Sequence, residues 1–143
     1  MKLLYPATIT YDPEDNGYLV EFIDLPGCIT EGDTLQEAAS NGREALTGFL
    51  ASLFERNIAI PEPSTVRKKN IYLIEPEPDV AVPVMLRRLR ESSKLTQSDV
   101  ARVLGISYQA YQRLEKPGKS NPTLKTLERL ARVFHKSLHL ELA

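Results

Sequence analysis

The stretch DLPGCITEGDT, residues 24–34, gathers the side chains best suited to covalent chemistry in the first half of the chain. Asp24, Glu31 and Asp33 are carboxylates of the kind that hold divalent ions for phosphodiester cleavage. Cys28, the single cysteine, would be a nucleophile if its thiolate were stabilised. Both chemistries need companions. The only histidines, His135 and His139, lie far along the chain, and no basic residue flanks Cys28. The same letters read better as architecture. Asp24-Leu25-Pro26-Gly27 is turn chemistry, Cys28 and Ile29 open a strand, and Gly32-Asp33-Thr34 leads into a helix. A scaffold with no catalytic residue is expected. The rival, a metal-dependent nuclease, would depend on Asp24 or Asp33.

A second constellation lies near the other end. In YQAYQRLE, capped by Ser107, helical spacing places Tyr108, Gln109, Gln112 and Arg113 outward. Glutamine and arginine suit paired hydrogen bonds to adenine and guanine edges in the major groove. Gln97 opens the preceding helix, where a helix N-terminus would meet a phosphate. Lys116, Lys119, Ser120 and Asn121 follow in a loop placed to touch the nucleic-acid backbone. The expected DNA contacts are Gln97, Ser107, Tyr108, Gln109, Gln112, Arg113, Lys116, Lys119 and Asn121.

Charge supports two modules. Residues 1–80 carry 6 Lys and Arg against 14 Asp and Glu, and residues 81–143 carry 12 against 5. The balances of −8 and +7 hide inside a net charge of −1. A basic half beside an acidic one points to nucleic acid for the basic half. MKLLYPATIT has no long apolar core and no run would cross a membrane, so the expected location is the cytoplasm. One cysteine fits a reducing compartment.

The elements that position these residues follow from periodicity. LLYPATITY alternates with Leu3, Tyr5, Ala7, Ile9 and Tyr11 on one face, DPEDNG (12–17) turns, and YLVEFI (18–23) pairs back. A short third strand is expected over Cys28–Glu31. Thr34 and Glu37 form a capping signature for a helix reaching about Arg56, within which Gly42 and Gly48 suggest close packing on the sheet. NIYLIE (70–75) returns as a strand, giving β-β-β-α-β. EPEPDVAVP (75–83) has three prolines and reads as a semi-rigid linker. Beyond it the period becomes helical, with Leu86 and Leu89 on one helix. Thr96 with Asp99, Ser107, and Thr123 cap three more, and Gly105 ends the first of these three. SLHLEL alternates again and is expected as a strand. His135 and His139, at i and i+4, would share a strand face with no cysteine or carboxylate set beside them, so no metal and no cofactor are expected. Leu138, Leu140 and Leu142 would pair across a dimer.

LTQSDVARVLGISYQAYQRLEK and NPTLKTLERLARVF resemble the Cro/C1 (Xre-type) helix-turn-helix family, through the LTQ start, the ARVLGIS turn and the RLE end. The resemblance implies dimeric, sequence-specific operator binding. YPATI and GYLVEFIDLPGCITEGDTLQEAASNGREAL resemble the HicB antitoxin family. That resemblance implies a partial RNase H-like fold without nuclease activity. It also implies a partner: HicA, a small mRNA-cleaving toxin with a double-stranded-RNA-binding-like fold, whose active surface the antitoxin covers. An acidic module suits a basic partner.

The expected fold is therefore α+β. A HicB-like toxin-neutralising domain spans 1–75, a proline-rich linker 76–83, and a helix-turn-helix DNA-binding domain 84–143. The expected protein is not an enzyme. It is an antitoxin that inhibits a HicA-type toxin and represses its own operon, as a homodimer or homotetramer. The alternative is a stand-alone transcription regulator with an N-terminal ligand-sensing domain.

Overall fold

The alternating N-terminal segment forms strand β1, Tyr5–Asp12, in a computed structural model that describes residues 2–143. Strand β2 is Gly17–Phe22 and β3 is Ile29–Gly32; helix α1 is Leu35–Glu55 and β4 is Ile71–Ile74. The sheet order is β3-β2-β1-β4 with every pairing antiparallel. Register is fixed by burial: Ala7 opposes Phe22 and Ile9 opposes Val20, and all four side chains are buried. A slip of one residue would turn that set to solvent. In the β1–β2 turn, Asn16 takes a left-handed φ of 50° and accepts a 2.6 Å hydrogen bond from the Tyr11 hydroxyl.

Helix α1 begins where the Thr34 hydroxyl accepts from the Glu37 N–H at 3.0 Å. Its buried stripe, Ala38, Gly42, Leu46, Leu50 and Leu53, covers one face of the sheet. Gly32 makes the approach possible. A Cβ there would sit 2.4 Å from the Ala38 backbone nitrogen. Gly42 is nearly as tight, at 3.0 Å from Ile74 Cδ1, whereas a Cβ at Gly48 would meet nothing within 4 Å. Close packing on the sheet thus holds for Gly42 and not for Gly48.

Side-chain hydrogen bonds help to pin the irregular chain between α1 and β4. The Tyr5 hydroxyl donates to the Pro61 carbonyl at 2.8 Å, and the Asp24 carboxylate accepts from both the backbone N–H and the hydroxyl of Ser64.

Contacts divide the chain into two units, one ending at Ala81 and the other running Val82–Ala143. Residues 78–83, expected within an extended linker, are instead helical, because α2 spans Pro78–Ser92. Pro78 is the first helical residue, where a missing N–H costs nothing, and Asp79 in the first turn suits the helix dipole. Pro83 is accommodated inside the helix. The remaining helices are α3, Gln97–Leu104, α4, Tyr108–Leu114, and α5, Leu124–Val133. Residues 137–142, expected as a strand, form none: the unit that contains them is otherwise helical and offers no strand to pair with. The α+β expectation holds, with the sheet in the first unit and only helices in the second.

Gly32→Ala is expected to destabilise the N-terminal unit by about 3 kcal/mol, because the obstructing atoms are backbone. Gly48→Ala, at an exposed helical site, should stabilise by roughly 0.5–1 kcal/mol. Urea midpoints of the two variants, moving in opposite directions, check both.

Candidate nucleic-acid interface

Three side-chain caps build this unit. Thr96 accepts from the Asp99 N–H while the Asp99 carboxylate accepts from the Thr96 N–H, a reciprocal box at the start of α3. The Thr96 N–H, with Arg102 nearby, holds the Asp99 carboxyl below its ordinary range, so the box is intact at neutral pH and is lost as pH falls through that lowered value. Ser107 caps α4 by accepting from Ala110 N–H at 3.1 Å, and Thr123 caps α5 by accepting from Thr126 N–H at 3.1 Å. Gly105 ends α3 with φ of 69°, a left-handed conformation that glycine takes without strain. The Arg129 guanidinium donates to the Leu104 carbonyl at that helix end, at 2.5 Å.

Helices α3 and α4 meet over Ala101, Leu104 and Tyr111, which share a core with Leu86, Val100, Leu130 and Phe134. Glu115, just past α4, is the buried charged residue of this core, at 1 % exposure. It lies four residues from buried Tyr111, on the same face. Arg90 of α2 reaches it through two hydrogen bonds, 2.7 Å and 3.0 Å, and donates a third, at 3.0 Å, to the Leu95 carbonyl. That bidentate bond to Glu115 drives the Arg90 guanidinium above its already high ordinary pKa. Burial, with the Glu115 charge beside it, pushes the Tyr111 phenol well above its usual value, so its proton stays on. The Tyr111 hydroxyl is buried with no hydrogen-bond partner among the described residues.

Gln109 and Arg113 stand exposed on the outer face of α4, and Lys116, Lys119 and Asn121 are exposed in the loop after it. Tyr108, 42 % exposed, is joined at its hydroxyl by Gln97 and Gln112, at 3.3 Å and 3.4 Å. Gln97 also donates to Glu115 at 3.4 Å. Gln97 and Gln112 are therefore half-buried links between α3 and α4, and Ser107 serves its own cap. Sequence reasoning missed Arg90 and did not assign Glu115 a role. The available signal was a carboxylate on the apolar face of its helix, which demands a buried cation.

The acidic stretch is scaffold in geometry too. Cys28 is buried, and burial pushes its thiol up to about 11, so it is no nucleophile at neutral pH. Asp24 is engaged by Ser64. Glu31 and Asp33 line an open groove with Asp12, Asp15 and Glu37. No group of three or more His, Cys, Asp or Glu among the described residues could hold a metal ion. No helix among them is long and apolar enough to cross a membrane.

Residues 4–84 match the family described as HicB_like antitoxin of bacterial toxin-antitoxin system, more than half of the chain. The chain belongs to that family. HicB-like residues are followed by a match to the helix-turn-helix family over residues 86–140. Antitoxin HicB of Escherichia coli K12 is 37% identical over 110 residues, covering 77% of this chain and 78% of that protein. Antitoxin HicB 1 of Photorhabdus laumondii is 35% identical over 114 residues, covering 79% and 70%. A chain from a solved toxin-antitoxin complex of Streptococcus pneumoniae is 23% identical, with a TM-score of 0.45, covering 71% of this chain and 95% of that one. HicB antitoxins and helix-turn-helix modules are binding proteins, so the chain is an antitoxin-family, DNA-binding protein and not an enzyme.

Glu115→Ala removes one partner of the buried pair and leaves Arg90 uncompensated, which should cost on the order of 3 kcal/mol. Urea unfolding of the full chain measures it, and DNA affinity should fall in parallel.

Proposed function

We propose that this chain is an antitoxin that binds and inhibits a cognate HicA-type mRNA-cleaving toxin and represses its own operon. The observation that carries the reading is the joining of a HicB-like unit to a helix-turn-helix unit in one chain. In this reading residues 1–75 neutralise the toxin, 76–83 connect, and 84–143 bind the operator. The acidic balance of the first 80 residues supports a basic, RNA-binding partner, because its carboxylates take the place of phosphate on that partner's surface. The site of action is the cytoplasm, where both mRNA and operator lie.

Operator recognition is assigned to the exposed face of α4. Gln109 and Arg113 read base edges, with Tyr108 beside them, while Lys116, Lys119 and Asn121 hold the phosphate backbone. Gln97, Ser107 and Gln112 act mainly through the position of α4, given their partners within the unit. The basic balance of +7 over residues 81–143 supplies the long-range attraction to DNA. Two-fold operators call for two copies, so the assembly is a homodimer or a homotetramer.

Two experiments test the reading. Gln109→Ala and Arg113→Ala should each lose roughly 1–3 kcal/mol of discrimination against altered operators, whereas Lys119→Ala should weaken all sequences alike and lower the salt slope by about one. Unchanged affinity in all three would remove α4 from the groove. In cells expressing the toxin encoded beside this gene, the full chain should restore growth, and failure to do so would remove the antitoxin role.

A further inference from the structure

Among the residues assigned to the operator, Tyr108 is the one aromatic side chain, and it stands 42 % exposed at the first position of α4. Its hydroxyl is engaged on both sides. It donates to Gln97 Oε1 at 3.3 Å and accepts from Gln112 Nε2 at 3.4 Å. The direction of the first bond is set from beneath. Gln97 turns its Nε2 toward Glu115, whose carboxylate accepts and is ion-paired to Arg90, and so turns its Oε1 toward Tyr108. A chain of donors therefore runs inward, from Gln112 through Tyr108 and Gln97 to the carboxylate that Arg90 holds.

A hydroxyl has one proton to give. With that proton turned into the unit, Tyr108 keeps no donor for a phosphate or for an acceptor on a base edge. What it presents outward is its ring. Base faces within a duplex are covered by their neighbours, so the ring can meet only an apolar group on a base edge. The major groove displays one such group, the C5-methyl of thymine.

We propose that Tyr108 reads the operator through its ring alone, by packing against the C5-methyl of a thymine. This rests on the operator reading above and gives Tyr108 a task distinct from that of Gln109 and Arg113, which read by hydrogen bonds. The methyl marks thymine off from cytosine, and an aromatic ring gains from removing it from water. The two bonds at the hydroxyl also fix the ring before DNA arrives. Side-chain freedom is then spent on folding the unit, and less of it remains to be lost on binding. Gln97 and Gln112 are thus positioning residues for this contact.

The test is binding of the full chain to a duplex carrying the DNA upstream of its own gene, with each thymine in turn replaced by deoxyuridine. That change removes one methyl and leaves every hydrogen-bonding group in place. At one thymine in each half-site the wild-type chain should bind the deoxyuridine duplex about fourfold more weakly, the loss expected when one methyl contact is given up. Tyr108→Ala should bind the two duplexes equally at that position. Tyr108→Phe should keep the preference, because the ring remains and the hydroxyl takes no part at the DNA. Both variants should retain the helix content of the wild type by circular dichroism. A duplex with no thymine whose methyl matters, a preference that survives in Tyr108→Ala, or a preference lost in Tyr108→Phe overturns the proposal. If the wild-type chain still selects this duplex over unrelated DNA in those cases, the operator reading stands without it. A wild-type chain with no such selection removes both.

Discussion

The buried pair of Arg90 and Glu115 is the interaction on which the DNA-binding unit depends. A carboxylate with almost no water around it is held by a guanidinium that also donates from Nη1 to the Leu95 carbonyl. The pair thereby ties α2, the turn before α3 and the end of α4 to one point. Gln97 adds the start of α3 to the same carboxylate. Such a pair contributes less to stability than to uniqueness, because few arrangements satisfy all of its hydrogen bonds at once. In the proposed reading, base recognition requires that uniqueness: Gln109 and Arg113 would meet a base edge only if α4 entered the groove at one angle.

The N-terminal unit obeys a different constraint, the absence of a side chain. Gly32 allows the end of β3 to touch the first turn of α1, and Gly42 lets that helix settle against Ile74, Val20 and Phe22. One helix then covers one sheet face. Cys28 is sealed in the core, and Asp24 is consumed in holding Ser64. An acidic loop that looks reactive in sequence is instead a turn, a strand and a helix cap.

Local rules made most of this legible before any coordinates. Thr34, Thr96, Ser107 and Thr123 each cap the helix their position announces, and Gly105 supplies the left-handed residue that the α3–α4 turn needs. These are short-range features, readable from a few neighbours. What escaped was set by longer range. The prolines of 75–83 suggested an extended linker, but Pro78 at a first helical position and packing of Val80 and Val84 favour helix. The alternation of 137–142 is a strand pattern, but the helical unit around it holds no strand for it to pair with. Arg90 and Glu115 stand 25 residues apart, and no periodicity links them. Gln97, expected at a phosphate, and Gln112, expected at a base edge, each also hold a partner within the unit, which no local pattern announces.

The most direct test of the central claim is to co-express the full chain with the gene beside it, tag one product, and weigh the purified assembly. An antitoxin of this family should bring down a small basic protein in fixed stoichiometry, one that halts growth when expressed alone. Recovery of the chain by itself, still bound to its promoter, would contradict the toxin-binding role and leave a transcription regulator.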